Sequence, residues 1–328
     1  MSDIYRVVLV HRDRYLVRNE EKELYCIPAG SLRYRDEFPV VGDYAEIIEN
    51  PYGDSLIQAI RPRRTVFCRP DRSGHADGFA KTLLVQPLIA NIDYVFIITS
   101  LNHDFSVNRI ARYAAMTAAG GAVPVAVLTK ADLCPDVEEM EKKAASLSRD
   151  LKVVSISSKT GYGMERLQEY FRPGVTIALL GSSGAGKSTL INTLAGREIM
   201  QTGGIREEDS KGRHTTTHRE LIDLNGVSVI DTPGLRELGM IDAEEGLAGT
   251  FADIADLISR CAFSDCTHRS EPGCAVREAL GNGSLSPERW ETYSKLEREN
   301  RWSKVRKNEM MMNIAMNRRK ISKSSKRH

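Results

Sequence analysis

The chain has 328 residues, of which 41% are hydrophobic, so it has room for two or three globular domains. All apolar runs are shorter than the ~18 residues of a membrane helix, and the N-terminus lacks a signal-peptide pattern. We therefore expect a cytoplasmic protein without membrane contact, in which six cysteines are poor disulfide candidates. The net charge of +2 hides an uneven distribution along the chain.

Five short β-type runs separated by turn-forming stretches occupy about the first 65 residues. Five strands in so short a segment favour a small barrel, and an OB-like barrel over residues 1–68 is the most economical assignment. The predicted strands are Tyr5–Val10, Tyr15–Arg18, Leu24–Ile27, Asp43–Ile48 and Leu56–Ile60. Basic residues among and after them would suit nucleic acid, although a solvated barrel surface would look the same: Arg12, Arg14, Arg33, Arg35, Arg61, Arg63 and Arg64.

Alternating strands and helices follow, which predicts an α/β domain over residues 69–238. The strands are expected at Tyr94–Thr99, Val123–Leu128, Leu151–Ile156 and Val175–Leu180, and a hairpin turn at Asn225-Gly226 should join His218–Leu224 to Val227–Ile230. Helices are expected from the cap Ser106 to Gly120-Gly121, from Pro135 to about Asp150, from Gly163 onward and over Lys187–Leu194.

A phosphate-binding loop is predicted where the last of these strands meets its helix. The sequence GSSGAGKS fits G-x-x-x-x-G-K-[ST], whose glycines let backbone N–H groups cradle the β-phosphate. Lys187 would reach the β- and γ-phosphates, and the Ser188 hydroxyl would bind Mg²⁺. A glycine-rich turn without a ligand is the alternative, which the preceding apolar strand disfavours. The predicted contacts are Gly181, Ser182, Ser183, Gly184, Ala185, Gly186, Lys187, Ser188 and Thr189.

The sequence DTPG, a D-x-x-G motif, completes the triphosphate half of a GTPase. Asp231 would hold Mg²⁺ through water, and Gly234 would offer its N–H to the γ-phosphate. Between the loop and this motif, the stretch GRHTTT suits a GTPase switch, and Thr216 is our choice to complete the Mg²⁺ shell.

The catalytic group is less clearly marked. Ras-like enzymes place a water-orienting glutamine directly after D-x-x-G, and Leu235 stands there in this chain, which predicts slow intrinsic hydrolysis. His214 is the nearest candidate for the missing group. The competing interpretation is that His214 and Arg213 contact RNA.

Two motifs for reading guanine precede the phosphate loop instead of following it, which predicts a circularly permuted GTPase. They are Thr129-Lys130-Ala131-Asp132, a [NT]-K-x-D, and Ser157-Ser158-Lys159, an S-A-K-like element. The Asp132 carboxylate can accept both guanine N1–H and N2–H₂, a pair of donors that adenine lacks. The stem of Lys130 would lie along the base, and Ser158 would offer a backbone N–H to O6.

A second chemical site is predicted in a helical domain over residues 239–300. Three thiolates and one imidazole saturate a tetrahedral Zn²⁺ and leave no open position, so the site should be structural. A packed or oxidised cysteine cluster is the alternative. The four ligands are Cys261, Cys266, His268 and Cys274, whereas Cys26, Cys68 and Cys134 are expected to be ordinary partly buried residues.

The last segment, residues 301–328, carries ten Lys and Arg against one acid. Subtracting its charge of +9 from the total of +2 leaves −7 on the first 300 residues. A basic tail on an acidic body is typical of a segment that binds polyanions, and a solubilising tail is the alternative.

Taken together, these motifs resemble the ribosome small-subunit-dependent GTPase A family of circularly permuted GTPases. The resemblance spans nearly the whole chain and includes FPVVGD, TKADL, GSSGAGKSTLIN, GRHTTT, DTPG and the cysteine-histidine cluster. It implies a monomer that binds the small ribosomal subunit and its rRNA and hydrolyses GTP to GDP and phosphate during late subunit maturation. Thr129 departs from the family's more frequent Asn, and the missing amide predicts weaker nucleotide affinity.

Two other classes of function stay open from the residues alone. The chain could be a GTP-regulated RNA-binding module whose partner is not the ribosome, which co-sedimentation with subunits would distinguish. It could also be a nucleotide-independent RNA binder with a vestigial site. The intact set of Asp132, Lys187, Ser188 and Asp231 argues against that last interpretation.

Overall fold

The structure is a computed structural model that describes residues 3–11, 14–35, 37–70, 85–102, 104–148, 151–200, 220–231, 243–302 and 304–305. Among these residues no helix has the length and apolar character that crossing a membrane requires.

The N-terminal segment forms a closed five-stranded barrel. Its strands pair in the order β1-β2-β3-β5-β4, and β4 returns to pair with β1, so that no free edge is left between them. The predicted strands are confirmed to within a residue or two, and a short helix, α1, that the sequence did not signal lies between β3 and β4. The elements are β1 Ile4–Val10, β2 Tyr15–Arg18, β3 Glu23–Pro28, α1 Gly30–Tyr34, β4 Tyr44–Ile48 and β5 Ser55–Ile60.

A buried ion pair fixes the turn that leads into β4. The Asp43 side chain is fully buried and accepts hydrogen bonds from Arg63 Nε at 2.8 Å and Nη2 at 2.7 Å. Its carboxylate also accepts the backbone N–H of Val40 at 2.8 Å. The same arginine donates to the carbonyl of Phe38 at 3.0 Å, so one pair ties together both sides of the turn.

Breaking this pair should destabilise the barrel strongly. Asp43→Ala leaves a half-buried guanidinium and a backbone N–H without their acceptor, which should lower the free energy of unfolding by at least ~3 kcal/mol. The matched control is Asp54→Ala, which breaks the more exposed Arg14–Asp54 pair and should change stability little. Urea unfolding measures both, and equal losses for the two variants would contradict the assignment.

The second domain is built on a mostly parallel sheet in the order β10-β9-β8-β11-β13-β12, in which only β12 is antiparallel. The strand that enters the phosphate loop, β11, lies between β8, which precedes it in the chain, and β13, which follows it. Two hydrophobic clusters cover its two faces. The strands are β8 Tyr94–Ser100, β9 Val123–Thr129, β10 Lys152–Ser155, β11 Thr176–Gly181, β12 Glu220–Leu224 and β13 Val227–Asp231.

Helices α2 Val107–Ala119, α3 Val137–Ala145 and α4 Lys187–Ala195 accompany this sheet. The predicted cap is present, since Ser106 accepts the N–H of Arg109. Two predictions need correction. The helix expected to reach about Asp150 ends at Ala145, and the segment after Gly163 forms a 3-10 helix, Met164–Tyr170, which is long for this tighter form.

The barrel is joined to the edge strand of this sheet, β12, and to the amino-terminal ends of β11 and β13. Leu9 in β1 pairs with Glu220 in β12, which merges both units into one eleven-stranded sheet. Arg6 reaches from β1 to Thr176 Oγ1 at 2.6 Å and Ser228 Oγ at 3.2 Å, at the starts of β11 and β13. A hairpin of β6 Val66–Pro70 and β7 Val85–Ala90, which the sequence did not predict, lies between the two units.

The C-terminal domain packs against α2 and the end of α3. Its helices are α5 Glu244–Thr250, α6 Ala252–Ser259, α7 Ala275–Gly281 and α8 over 287–302. Gly246 permits the close approach of α5 to α2, because a Cβ there would lie 2.2 Å from the carbonyl oxygen of Ala115. Arg289 in α8 donates to the carbonyl of Leu147 at 2.7 Å, while Arg112 in α2 pairs with Glu299 in α8 through two bonds of 2.6 and 2.7 Å.

Candidate nucleotide site and metal centre

The predicted nucleotide-binding segments meet at the carboxyl edge of the parallel sheet. Residues 129–132 begin at the last residue of β9, residues 157–159 follow β10, and residues 181–189 begin at the last residue of β11. Asp231 is the last residue of β13, and its register partner is Leu179 in β11. Because parallel strands present their carboxyl ends on one side, motifs far apart in the sequence become neighbours there.

The phosphate loop has the backbone that its glycines predict. Gly181 passes so close to β8 that a Cβ there would lie 2.4 Å from the carbonyl oxygen of Ile98. Gly186 has a φ of 98° and leads directly into α4, whose N-terminal N–H groups point back toward the loop. Lys187 Nζ crosses the loop and donates to the carbonyls of Gly181 at 2.9 Å and Ser182 at 2.7 Å. Thr189 is exposed on the first turn of α4.

The [NT]-K-x-D segment is tied directly to the phosphate loop. Lys130 has a left-handed φ of 58°, and its Nζ donates to the carbonyl of Gly184 at 2.9 Å. Thr129 is buried, and its hydroxyl donates to the carbonyl of Ala185 at 2.6 Å. From the sequence, Thr129 lacks the amide that would bridge the base and the loop. The structure corrects the loop side of that expectation, because the hydroxyl reaches the loop without an amide.

The carboxylate predicted to read guanine, that of Asp132, is hydrogen-bonded to the protein on one side and exposed to solvent on the other. Asp132 Oδ1 accepts the Ser157 hydroxyl at 2.7 Å, and Ala131 donates its N–H to the carbonyl of Ile156 at 3.0 Å. Asp132 is exposed, whereas Ser157 is buried. Ser158 and Lys159, one half-buried and the other exposed, continue the same loop beside it. This arrangement orients a carboxylate at the surface without consuming all its acceptor capacity.

The bond between Thr129 and the loop gives a prediction for nucleotide affinity. Thr129→Val keeps the shape but leaves the buried Ala185 carbonyl without its donor, which should weaken GTP binding about tenfold. Thr129→Ser retains the hydroxyl and is the matched control, with affinity near that of the parent protein. Titration with a fluorescent GTP analogue measures both. Equal affinity of the valine variant and the parent would show that the bond does not shape the loop.

Ser188 and Asp231, the predicted Mg²⁺ ligands among the described residues, lie on adjacent elements. Asp231 ends the strand next to β11, and Ser188 lies in the first turn of the helix that follows β11. One carboxylate at a strand end and one hydroxyl at the start of the neighbouring helix fit a hard cation such as Mg²⁺. The other predicted groups of the triphosphate half lie outside the described residues: Thr216, His214, Arg213, Gly234 and Leu235.

A residue that the sequence did not single out also contacts the phosphate loop. Asp104, in the connection from β8 to α2, accepts the hydroxyl of Ser182 and pairs with Arg109 Nη1 at 2.6 Å. Burial alone would raise the pKa of Asp104, but the bonds from Arg109 and Ser182 hold it below its usual range. The sequence feature that could have revealed Asp104 is its position shortly after the carboxyl end of β8, the strand next to β11.

The four cysteine and histidine residues of the C-terminal domain converge as predicted. Their ligand atoms lie within 4.8 Å of one another. The distances are 4.0 Å between the sulfurs of Cys261 and Cys274, and 3.6 and 3.5 Å from these sulfurs to His268 Nδ1. Tetrahedral zinc with ordinary bond lengths would give about 3.8 Å between sulfurs and about 3.6 Å from sulfur to nitrogen. The cluster could therefore hold a metal such as zinc.

The surroundings of Cys261 and His268 favour the protonation states that bind metal, whereas burial and the neighbouring thiols raise the pKa of Cys266 to about 11. Burial opposes the thiolate of Cys261, but backbone N–H groups of Ala275 and Val276, at the start of α7, donate to it and its pKa is lowered. Burial lowers the pKa of His268, which favours the neutral imidazole. The His268 ring packs edge-on against Trp290 with centroids 5.4 Å apart, so the cluster is fixed to α8.

Comparison with known proteins gives consistent matches along the chain. The family model described as RsgA GTPase matches residues 60–241. The small ribosomal subunit biogenesis GTPase RsgA 2 of Lactiplantibacillus plantarum is 44% identical over 299 residues, covering 90% of this chain and 82% of that protein. The RsgA of Opitutus terrae is 44% identical over 311 residues, with the same two coverages.

Solved structures show the same architecture. The crystal structure of YjeQ from Thermotoga maritima has a TM-score of 0.67 and 27% identity, covering 90% of this chain and 97% of that one. YloQ, described as a circularly permuted GTPase, has a TM-score of 0.62 and 25% identity over 91% of this chain and 95% of that one. The predicted fold class, a permuted GTPase domain with a barrel before it and a cysteine-histidine domain after it, is confirmed.

Proposed function

Because the chain belongs to the RsgA GTPase family, we propose that it binds the small ribosomal subunit, contacts its rRNA and hydrolyses GTP to GDP and phosphate there during late subunit maturation. The relatives carry the name small ribosomal subunit biogenesis GTPase, which supports this partner. The observation that carries the nucleotide assignment is the direct bonding of Thr129 and Lys130 to the phosphate loop. It brings the base-reading and phosphate-binding halves of a GTPase together despite their permuted order.

The proposed mechanism divides the work among the residues at this edge. Asp132 and the N–H of Ser158 select guanine, and Lys130 covers the base. The loop N–H groups and Lys187 bind the phosphates, with Gly234 at the γ-phosphate. Ser188, Thr216 and Asp231 would hold Mg²⁺, which when bound neutralises phosphate charge. His214 is the proposed catalytic group, which would orient the attacking water.

Several features of the whole chain belong to the same proposal. We assign the barrel to residues 1–68, the GTPase domain to 69–238, the zinc domain to 239–300 and a basic tail to 301–328. One structural zinc at Cys261, Cys266, His268 and Cys274 would stabilise the zinc domain. The protein would act as a monomer in the cytoplasm, with the basic tail supporting its contact with rRNA.

Co-sedimentation with purified small subunits tests the partner. We expect binding with a non-hydrolysable GTP analogue and weaker binding with GDP, since a ligand shifts an equilibrium only by its preference between states. Large subunits serve as the control. Equal recovery with small and large subunits, at matched salt, would favour the alternative of a GTP-regulated RNA-binding module with a non-ribosomal partner.

A further inference from the structure

The connection between β8 and α2 holds a carboxylate between the phosphate loop and a helix. One oxygen of Asp104 accepts the hydroxyl of Ser182, the second residue of the loop, and the other accepts Arg109 Nη1 at 2.6 Å. The backbone of Asp104 is fixed too, because its carbonyl accepts the Thr99 hydroxyl at 3.0 Å. The carboxylate therefore has a defined position relative to both partners.

We propose that Asp104 is a positioning residue that fixes Ser182 relative to α2 and thereby sets the affinity of the phosphate loop for the nucleotide. This inference rests on the proposed nucleotide-binding function of the loop. It adds a side chain that no phosphate-loop motif contains, since Asp104 and Ser182 are 78 residues apart in the chain.

The effect on the phosphates would pass through Ser182. Its hydroxyl donates to Asp104, while its carbonyl accepts Lys187 Nζ at 2.7 Å. A shift of Ser182 therefore also moves an acceptor of the lysine predicted to reach the phosphates. Loops that are held in their binding geometry before the ligand arrives avoid the entropic cost of ordering upon binding.

The helix side of this contact is anchored well beyond the loop. Arg109 lies in the first turn of α2, which is separately capped by Ser106. Asn108 accepts the hydroxyl of Thr292 at 2.5 Å, and Arg112 binds Glu299, so α2 is also fixed to α8. Because Ser106 already caps α2, the helix does not need Asp104 as a cap. The Asp104 carboxylate can therefore hold Ser182 of the loop.

The test is a double-mutant cycle on nucleotide affinity with the full-length protein. Ser182→Ala removes only the hydroxyl, Asp104→Ala removes its acceptor, and a third protein carries both changes. Each single change should weaken binding of a fluorescent GTP analogue about tenfold. The affinity of the double variant should be no lower than the lower of the two single-variant affinities. Asp104→Asn, whose amide oxygen can still accept the hydroxyl, should recover most of the affinity.

Thermal unfolding of each variant shows whether a loss of affinity only reflects a loss of stability. Asp54→Ala breaks a comparable arginine–carboxylate pair in the barrel and should leave affinity unchanged. If Asp104→Ala does not fold, the parent protein is compared with Ser182→Ala alone, in which the Asp104–Arg109 pair is intact. Unchanged affinity in Ser182→Ala, additive losses in the double variant, or no recovery by Asp104→Asn would each overturn the proposal.

The same titrations separate this proposal from the proposed function. If the parent protein binds GTP and GDP but the variants bind equally well, only the role of Asp104 is wrong. If the parent protein binds neither nucleotide, the proposed function fails, and the positioning role fails with it.

Discussion

Removal of the proposed zinc from the cysteine-histidine cluster is expected to loosen α6, α7 and the connection between them while the barrel keeps its fold. All four ligands lie in residues 261–274, the connection between α6 and α7, which has no helix or strand of its own. Structural zinc contributes about 10–16 kcal/mol of apparent binding free energy in small zinc domains, more than most whole domains have in stability. Cys266→Ser should have the same effect through the loss of one thiolate.

Hydrogen–deuterium exchange of the full-length protein, with and without chelator, measures this prediction. Exchange should rise across α6 and α7, whereas nucleotide affinity should stay largely intact because its residues lie at the sheet edge. Cys68→Ser, a cysteine outside the cluster, is the control and should match the parent protein. Parent protein that is free of metal, prepared without chelator, and still protected in α6 and α7 would contradict a structural metal site.

Asp132→Asn should change the preferred base from guanine to xanthine. An amide can donate to the xanthine carbonyl but cannot accept both guanine donors. The loss of charge-assisted hydrogen bonds should weaken GTP binding about a hundredfold or more. The amide oxygen can still accept the Ser157 hydroxyl, which the carboxylate accepts at 2.7 Å, so the side chain should keep its place.

Competition between GTP, XTP and ATP for one fluorescent nucleotide measures the change. Asp136→Asn is the matched control, since Asp136 caps α3 through the N–H of Glu139 and asparagine caps a helix equally well. Its base preference should be that of the parent protein. Equal affinity of the parent for GTP and ATP would contradict the assignment of Asp132.

Local patterns predicted most of the strands and the N-terminal cap of α2, Ser106. Buried parallel strands such as β8 and β9 are continuous apolar runs, and Asn225 and Gly226 both have the positive φ that their hairpin turn requires. The β6–β7 hairpin was missed because residues 71–84 separate its strands, so no short turn signal joins them.

The nucleotide site was predictable as far as its motifs extend. The phosphate loop and the guanine motifs depend on residue types at fixed spacings, so they can be read locally. Asp104 cannot, because its role depends on a contact across 78 residues between a loop and the neighbouring strand's end. Thr129 shows the same limit, since only the structure reveals that its hydroxyl reaches the Ala185 carbonyl.

Hydrolysis of GTP with and without purified small ribosomal subunits tests the central proposal most directly. Leu235 stands where a water-orienting glutamine would be expected, so we predict slow turnover by the protein alone and an increase of several-fold or far more with small subunits. Large subunits should give no such increase, and His214→Ala should lose the stimulation while retaining GTP binding. Equal turnover with and without small subunits would contradict the proposed ribosome-dependent GTPase.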